Sequence, residues 1–126
     1  MSTLKVNTIQ NTSAAHSSTP EQIEQGRAKA WVNFDGTGTI SIRDSFNISS
    51  ITDGGTGIYT INFTNAMANS NYCSPCENGS PTGGRYIIGP ESDGKTTSSA
   101  RFFSQQSSTG GNLDADEVSI AIFGDQ

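Results

Sequence analysis

The sequence predicts a mainly β protein, an antiparallel β-sandwich wound in a jelly-roll-like way, with an extended N-terminal arm and one short helix. Three observations point there. Twelve isoleucines stand against two leucines, and β-branched side chains suit a pleated surface whereas helices lean on Leu. From Arg27 onward apolar residues recur with a period of two, the signature of strands. Gly- and Ser-rich turns separate these runs, which suggests about eight strands.

The arm and linker occupy residues 1–18. Ser2–Gln10 alternates over its first half, with Leu4 and Val6 on one side and Lys5 and Asn7 on the other, before Ile9 breaks the phase. An extended segment of this kind is expected to lend a strand to a neighbour. Asn11–Ser18 reads as a polar linker. A single β domain then covers residues 19–126, led by a helix over 19–26. Thr19 caps that helix, Pro20 takes the tolerated first position, Gln22 closes a capping box, and Gly26 ends it.

The strands follow. Ala28, Ala30, Val32 and Phe34 share a face, with Trp31 opposite. Asp35-Gly36-Thr37-Gly38 turns the chain into a second run, in which Ile40 and Ile42 alternate with Ser41 and Arg43 as far as Phe46. Ile48 and Ile51 precede Asp53-Gly54-Gly55-Thr56-Gly57, and Tyr59, Ile61 and Phe63 follow it, a hairpin signal because glycine supplies positive φ freely. Further strands are expected at Tyr72–Cys76, Arg85–Ile88, Ala100–Phe103 and Val118–Phe123. The last is apolar on both faces, which places it centrally in a sheet or at a subunit contact.

Composition then bears on assembly. Ile, Leu, Val and Phe make up 23 of 126 residues, whereas Ser, Thr and Asn make up 42. A small domain this poor in core formers buries little surface alone, so it is expected to complete its core against other copies. The net charge of −5 and the lack of a Lys/Arg patch argue against nucleic acid. No apolar run approaches the roughly 18 residues of a membrane span, and Met1–Gln10 lacks the apolar stretch of a signal peptide.

Enzymatic and metal chemistry find little support, and neither a catalytic residue, a metal site nor a cofactor is assigned. His16, the sole histidine, lies in the polar linker, and no Gly-x-Ser-x-Gly elbow occurs. Asp114, Asp116 and Glu117 cluster before the last strand, with Asp35, Asp44 and Asp53 at turns or strand ends; turn chemistry accounts for them without a glycosidase pair. A calcium site at Asp114 and Asp116 lacks the EF-hand ligand series. Cys73-Ser74-Pro75-Cys76 has zinc-knuckle spacing but no second pair to complete four ligands, leaving reduced thiols or a local disulfide between Cys73 and Cys76. Recognition is better served. The polar stretches Asn78–Gly84 and Gln105–Asn112 are loops on a rigid scaffold, and Arg85, Tyr86 and Asn112 are candidate receptor-binding residues suited to a glycan.

Several segments also carry a resemblance. The opening Ser2-Thr3-Leu4-Lys5-Val6-Asn7-Thr8-Ile9-Gln10-Asn11-Thr12-Ser13, the stretch Ser18-Thr19-Pro20-Glu21-Gln22-Ile23 continuing through Gly26–Gly38, the runs Ile42–Asn47 and Tyr59–Phe63, and the closing Val118–Gly124 resemble tail-fibre-like and other virion structural proteins of tailed bacteriophages, particularly those infecting cyanobacteria. The resemblance implies a virion component, usually a homotrimer, that contacts other virion proteins of the tail, baseplate or capsid and contributes to host attachment. Two roles are open on that basis: a short tail fibre or tip, and a trimeric capsid decoration protein.

Overall fold

The computed structural model describes residues 1–79 and 86–126, with Tyr86 and Ile87 described in backbone only. Among the described residues ten strands and one helix follow in chain order: β1 (Ile9–Gln10), β2 (Ser17–Ser18), α1 (Pro20–Gly26), β3 (Ala30–Asp35), β4 (Ser41–Phe46), β5 (Ile48–Asp53), β6 (Ile58–Phe63), β7 (Cys76–Gly79), β8 (Tyr86–Lys95), β9 (Ser99–Gln106) and β10 (Glu117–Ile122). Eight of them build two four-stranded sheets in the orders β4-β3-β10-β7 and β5-β6-β9-β8, and β1 and β2 form a separate small ribbon. Every pairing is antiparallel.

The core lies between the two large sheets because period-two patterning turns one side of each toward the other. Ala30, Val32 and Phe34 of β3 and Val118, Ile120 and Ile122 of β10 face Tyr59, Ile61 and Phe63 of β6 and Ala100 and Phe102 of β9, all buried. Phe34 meets Tyr59 edge-on across the gap, with ring centroids 5.1 Å apart at 79°, an arrangement worth about 1 kcal/mol beyond burial. Strand β10 is central in its sheet, as its two apolar faces predict.

Thr19 and Gln22 form the expected capping box, Gln22 N–H donating to Thr19 Oγ1 at 3.2 Å and Thr19 N–H to Gln22 Oε1 at 2.9 Å. However, α1 buries none of its residues. A seven-residue helix without an apolar anchor is marginal, and polar contacts hold it instead. Lys29, itself buried, donates to the Glu24 carbonyl at 2.6 Å and pairs with the Glu24 carboxylate. Gln25 Nε2 donates to Asp125 Oδ1 at 2.8 Å.

The Lys29 hydrogen bond, the largest influence on Glu24, holds its carboxyl below the usual carboxylate range. A lowered folded-state pKa contributes stability above the unfolded value of about 4.3 and loses it as pH falls through the folded value. Acidification below about pH 4 is therefore expected to free α1 before the sandwich melts. Limited proteolysis at pH 7 and pH 3 with an acid-tolerant protease checks this: cleavage should appear first between residues 19 and 27, and Glu24→Gln should be cleaved there already at pH 7.

Several expected boundaries move. The arm is only partly extended, because residues 9–18 fold back as the β1–β2 ribbon. Asn11 makes the turn: its Oδ1 accepts from Ala15 N–H at 3.0 Å, and Ala14 takes a left-handed φ of 55°, a use of Asn that hydropathy does not register. The strand expected at Tyr72–Cys76 begins instead at Cys76. Ahead of it Cys73 makes an isolated bridge to Phe123, and Tyr72 turns into the core, its hydroxyl donating to the Thr96 and Ser99 carbonyls at 3.0 Å. Strand β8 runs on to Lys95 through Pro90, tolerated because β8 is an edge strand with its register interrupted between Pro90 and Lys95. Strand β9 extends to Gln106, so Gln105 and Gln106 belong to the sheet rather than to a loop. In β4 the alternation fails, since a bulge where Asn33 gives way to Phe34 sets Ile42 beside Phe34 but Phe46 beside Trp31, on opposite faces, and both are exposed.

Candidate binding face

The sandwich has two ends. At one, the turn after β3, the β5–β6 hairpin and the connection from β9 to β10 converge; at the other lie α1, the arm and the C-terminus. Two of the three sequence-predicted receptor residues, Tyr86 and Asn112, belong to the first end. Arg85 lies outside the described residues, as does most of the polar stretch before it. Tyr86 opens β8 opposite Gln106. Asn112 bridges to Gln105 from the far side of β9 and accepts from Gln105 Nε2 at 3.1 Å. Strand β9 thus stands between Tyr86 and Asn112, two interstrand spacings or about 10 Å apart. They flank one strand end without forming one site.

The carboxylates near this end serve the backbone. Asp35 accepts from Thr37 N–H at 2.9 Å and Thr37 Oγ1 at 2.6 Å, an Asx turn whose hydrogen bonds lower its pKa. Asp53 accepts from Gly55 N–H at 2.8 Å, and Asp114 from Gly57 N–H at 2.7 Å. The expectation that turn chemistry explains these acids thus has direct geometric support. Among the described residues, three or more potential metal ligands do not cluster anywhere.

Cys73 and Cys76 stand as separate thiols in this fold. The reason is the ladder. Cys73 pairs with Phe123 and Cys76 with Ile120 in one continuous register. Residues three apart in an extended strand point to opposite faces and sit about 10 Å apart, beyond the reach of a disulfide. Burial pushes the Cys76 thiol pKa up, and its Sγ donates weakly to the Ile88 carbonyl at 3.5 Å.

A concavity with a mostly apolar lining lies elsewhere, on the outer face of the β4-β3-β10-β7 sheet. Register aligns Phe46, Trp31 and Ala121 side by side across β4, β3 and β10, and Ala121 N–H donates to the Pro75 carbonyl at 3.0 Å, extending the row. A groove of about 400 Å³ opens here, lined by Trp31, Pro75, Cys76 and Ala121 with Asn33 and Glu77 beside them. Trp31 is 36% exposed and Phe46 53%. The next row is polar, running Asp44, Asn33, Ser119, Glu77, and Asn33 Nδ2 donates to Ser119 Oγ at 2.9 Å. The alternation flags Trp31 as outward-facing; the alignment of Phe46, Ala121 and Pro75 beside it depends on a bulge and a strand order that periodicity does not disclose.

A second apolar patch is formed by the arm. Leu4 is 84% and Ile9 54% exposed, and both lie near Val6 and Ile23. The chain matches no family model, and comparison with curated proteins and with solved structures returns no similar protein.

Proposed function

We propose that this chain is a bacteriophage virion structural protein, a short homotrimeric tail fibre or fibre tip contributing to host-surface attachment and having no catalytic activity. The observation that carries the reading is the apolar surface a single copy leaves in water. Leu4, Ile9, Trp31, Ile42 and Phe46 are exposed, in a chain whose core formers are already few. Trp31 and Phe46 adjoin on the outer sheet face and Leu4 and Ile9 lie together on the arm, and exposed apolar patches of this kind mark association surfaces. In this reading the sandwich is jelly-roll-like in the sense that the chain passes repeatedly between two sheets around one core. The loop end, with Asn112 and Tyr86, faces the host and a surface glycan, for which Arg85 stays a candidate from the sequence; the arm end faces other copies and the adjoining virion proteins.

The test is location. Immunogold labelling of intact virions with antibody against the chain should mark the tail tip or fibres. Label over the capsid faces would overturn the fibre reading and establish a capsid decoration protein with no receptor role. Label on neither would remove the virion assignment altogether.

A further inference from the structure

The geometry points to the outer groove of the β4-β3-β10-β7 sheet as the seat of the N-terminal arm of a second copy of this chain. The inference deepens the self-assembly part of the function proposed above and does not depend on where in a particle the chain sits.

Two unpartnered features meet here. The first is the arm. Leu4 and Val6 are two residues apart, so they project to one side of an extended segment about 7 Å from one another. The arm lies beside α1 of its own chain, yet this leaves Leu4 almost wholly in water, so the intrachain position does not satisfy it. The second is the row Phe46, Trp31, Ala121, Pro75. It crosses three interstrand gaps, about 14 Å, and extended chain from Leu4 to Ile9 covers about 17 Å. The lengths match.

Charge sets the partner. Residues 1–18 contain one base, Lys5, and no acid, whereas residues 30–126 contain ten acids and four bases. The apolar row is flanked by Asp44 and Glu77 on the next row of the same face. An arm laid with Leu4 and Val6 against Trp31 and Ala121 turns Lys5 outward over the groove, within a Debye length of this acidic margin. A second copy supplies this complement by construction. Because arm and groove are different surfaces, the contact is heterologous, and it closes into a ring when each copy gives one arm and receives one.

The sole tryptophan of the chain lies in the proposed seat and reports on it. The full chain should self-associate in sedimentation velocity, with Trp31 shielded from acrylamide. A chain lacking residues 1–7 should sediment as a monomer, with Trp31 quenched several-fold more strongly. This deletion removes only exposed residues ahead of β1, so an unchanged far-ultraviolet circular dichroism spectrum verifies that the sandwich is intact. Lys5→Glu and Glu77→Lys should each weaken association about tenfold, and the double variant should recover most of the loss, as for coupled charges across an interface. A full chain that stays monomeric, or a truncated chain with unchanged sedimentation and quenching, would overturn the proposal. Unchanged sedimentation of the truncated oligomer leaves the fibre reading standing, whereas label away from the tail removes the fibre reading and leaves the arm contact standing.

Discussion

Gly57→Ala is expected to destabilise the protein by about 4 kcal/mol, the largest single-residue effect outside the core. Gly57 sits at a φ of 66°, where any side chain costs about 1–2 kcal/mol. The larger cost is steric. A Cβ there would lie 2.4 Å from the Ser104 carbonyl oxygen and 2.7 Å from the Leu113 nitrogen. Those two atoms are themselves hydrogen-bonded at 3.0 Å, and Ser104 N–H donates to the Gly57 carbonyl at 2.8 Å. The methyl group would thus enter the junction at which the β5–β6 hairpin, β9 and the Asn112 connection are tied together. No flexible side chain is available to yield; the backbone must move. Gly38→Ala is the control, since Gly38 has a φ of 59° but open space around it, and it should cost only about 1 kcal/mol. Urea unfolding of the three proteins checks the ordering. Equal losses in the two variants would show that conformational strain, and not the close approach, governs the site. Because the junction also places Asn112, the attachment role proposed above predicts that Gly57→Ala weakens adsorption to the host surface where Gly38→Ala does not.

This junction shows how far sequence reasoning reaches. The Asp53–Gly57 turn and its flanking strands are legible because glycine marks a conformation and alternation marks a face. Strands β3, β6 and β10 are legible for the same reason: each places three apolar residues in phase. The end of β9 is not, because Ser104 is polar and fully buried. Its hydroxyl is satisfied by Asn78 Nδ2 at 2.9 Å, a bond spanning 26 positions. Lys29 is hidden in the same way, since local sequence does not announce that a lysine will find Glu24 at close range and disappear from solvent. The candidate groove was half visible. Trp31 stands out of phase with Val32 and Phe34, but Phe46 reaches its side only because a bulge shifts β4, and Pro75 only because β7 pairs with β10. Local patterning writes the faces of strands; the order of strands in a sheet arises from long-range packing.

Tyr59 gives the second large effect, and it has a sign that pH can reveal. Its hydroxyl lies at the loop end of the core, where it accepts from Ala115 N–H at 3.2 Å and approaches the Gly36 carbonyl and Asp114 Oδ1, each at 3.4 Å. Ala115 is fully buried, so Tyr59→Phe leaves its N–H with no acceptor in that position. The expected loss is about 2 kcal/mol at neutral pH, the cost of an unsatisfied buried donor. Burial, reinforced by the nearby carboxylate of Asp114, pushes the Tyr59 pKa up to about 12. The native state therefore keeps its proton where the unfolded chain, with an ordinary value near 10, has begun to lose it. A raised folded-state pKa contributes stability that is fully present below about pH 10 and lost as pH climbs toward 12. Urea midpoints of the wild type should fall steeply across that window. In Tyr59→Phe the fall should be shallower but not absent, because burial also raises the pKa of Tyr72. The two proteins should consequently converge in stability as pH rises. Parallel curves, separated by the same free energy at pH 8 and pH 11, would mean that the phenol acts through packing alone and that its ionisation is not coupled to folding.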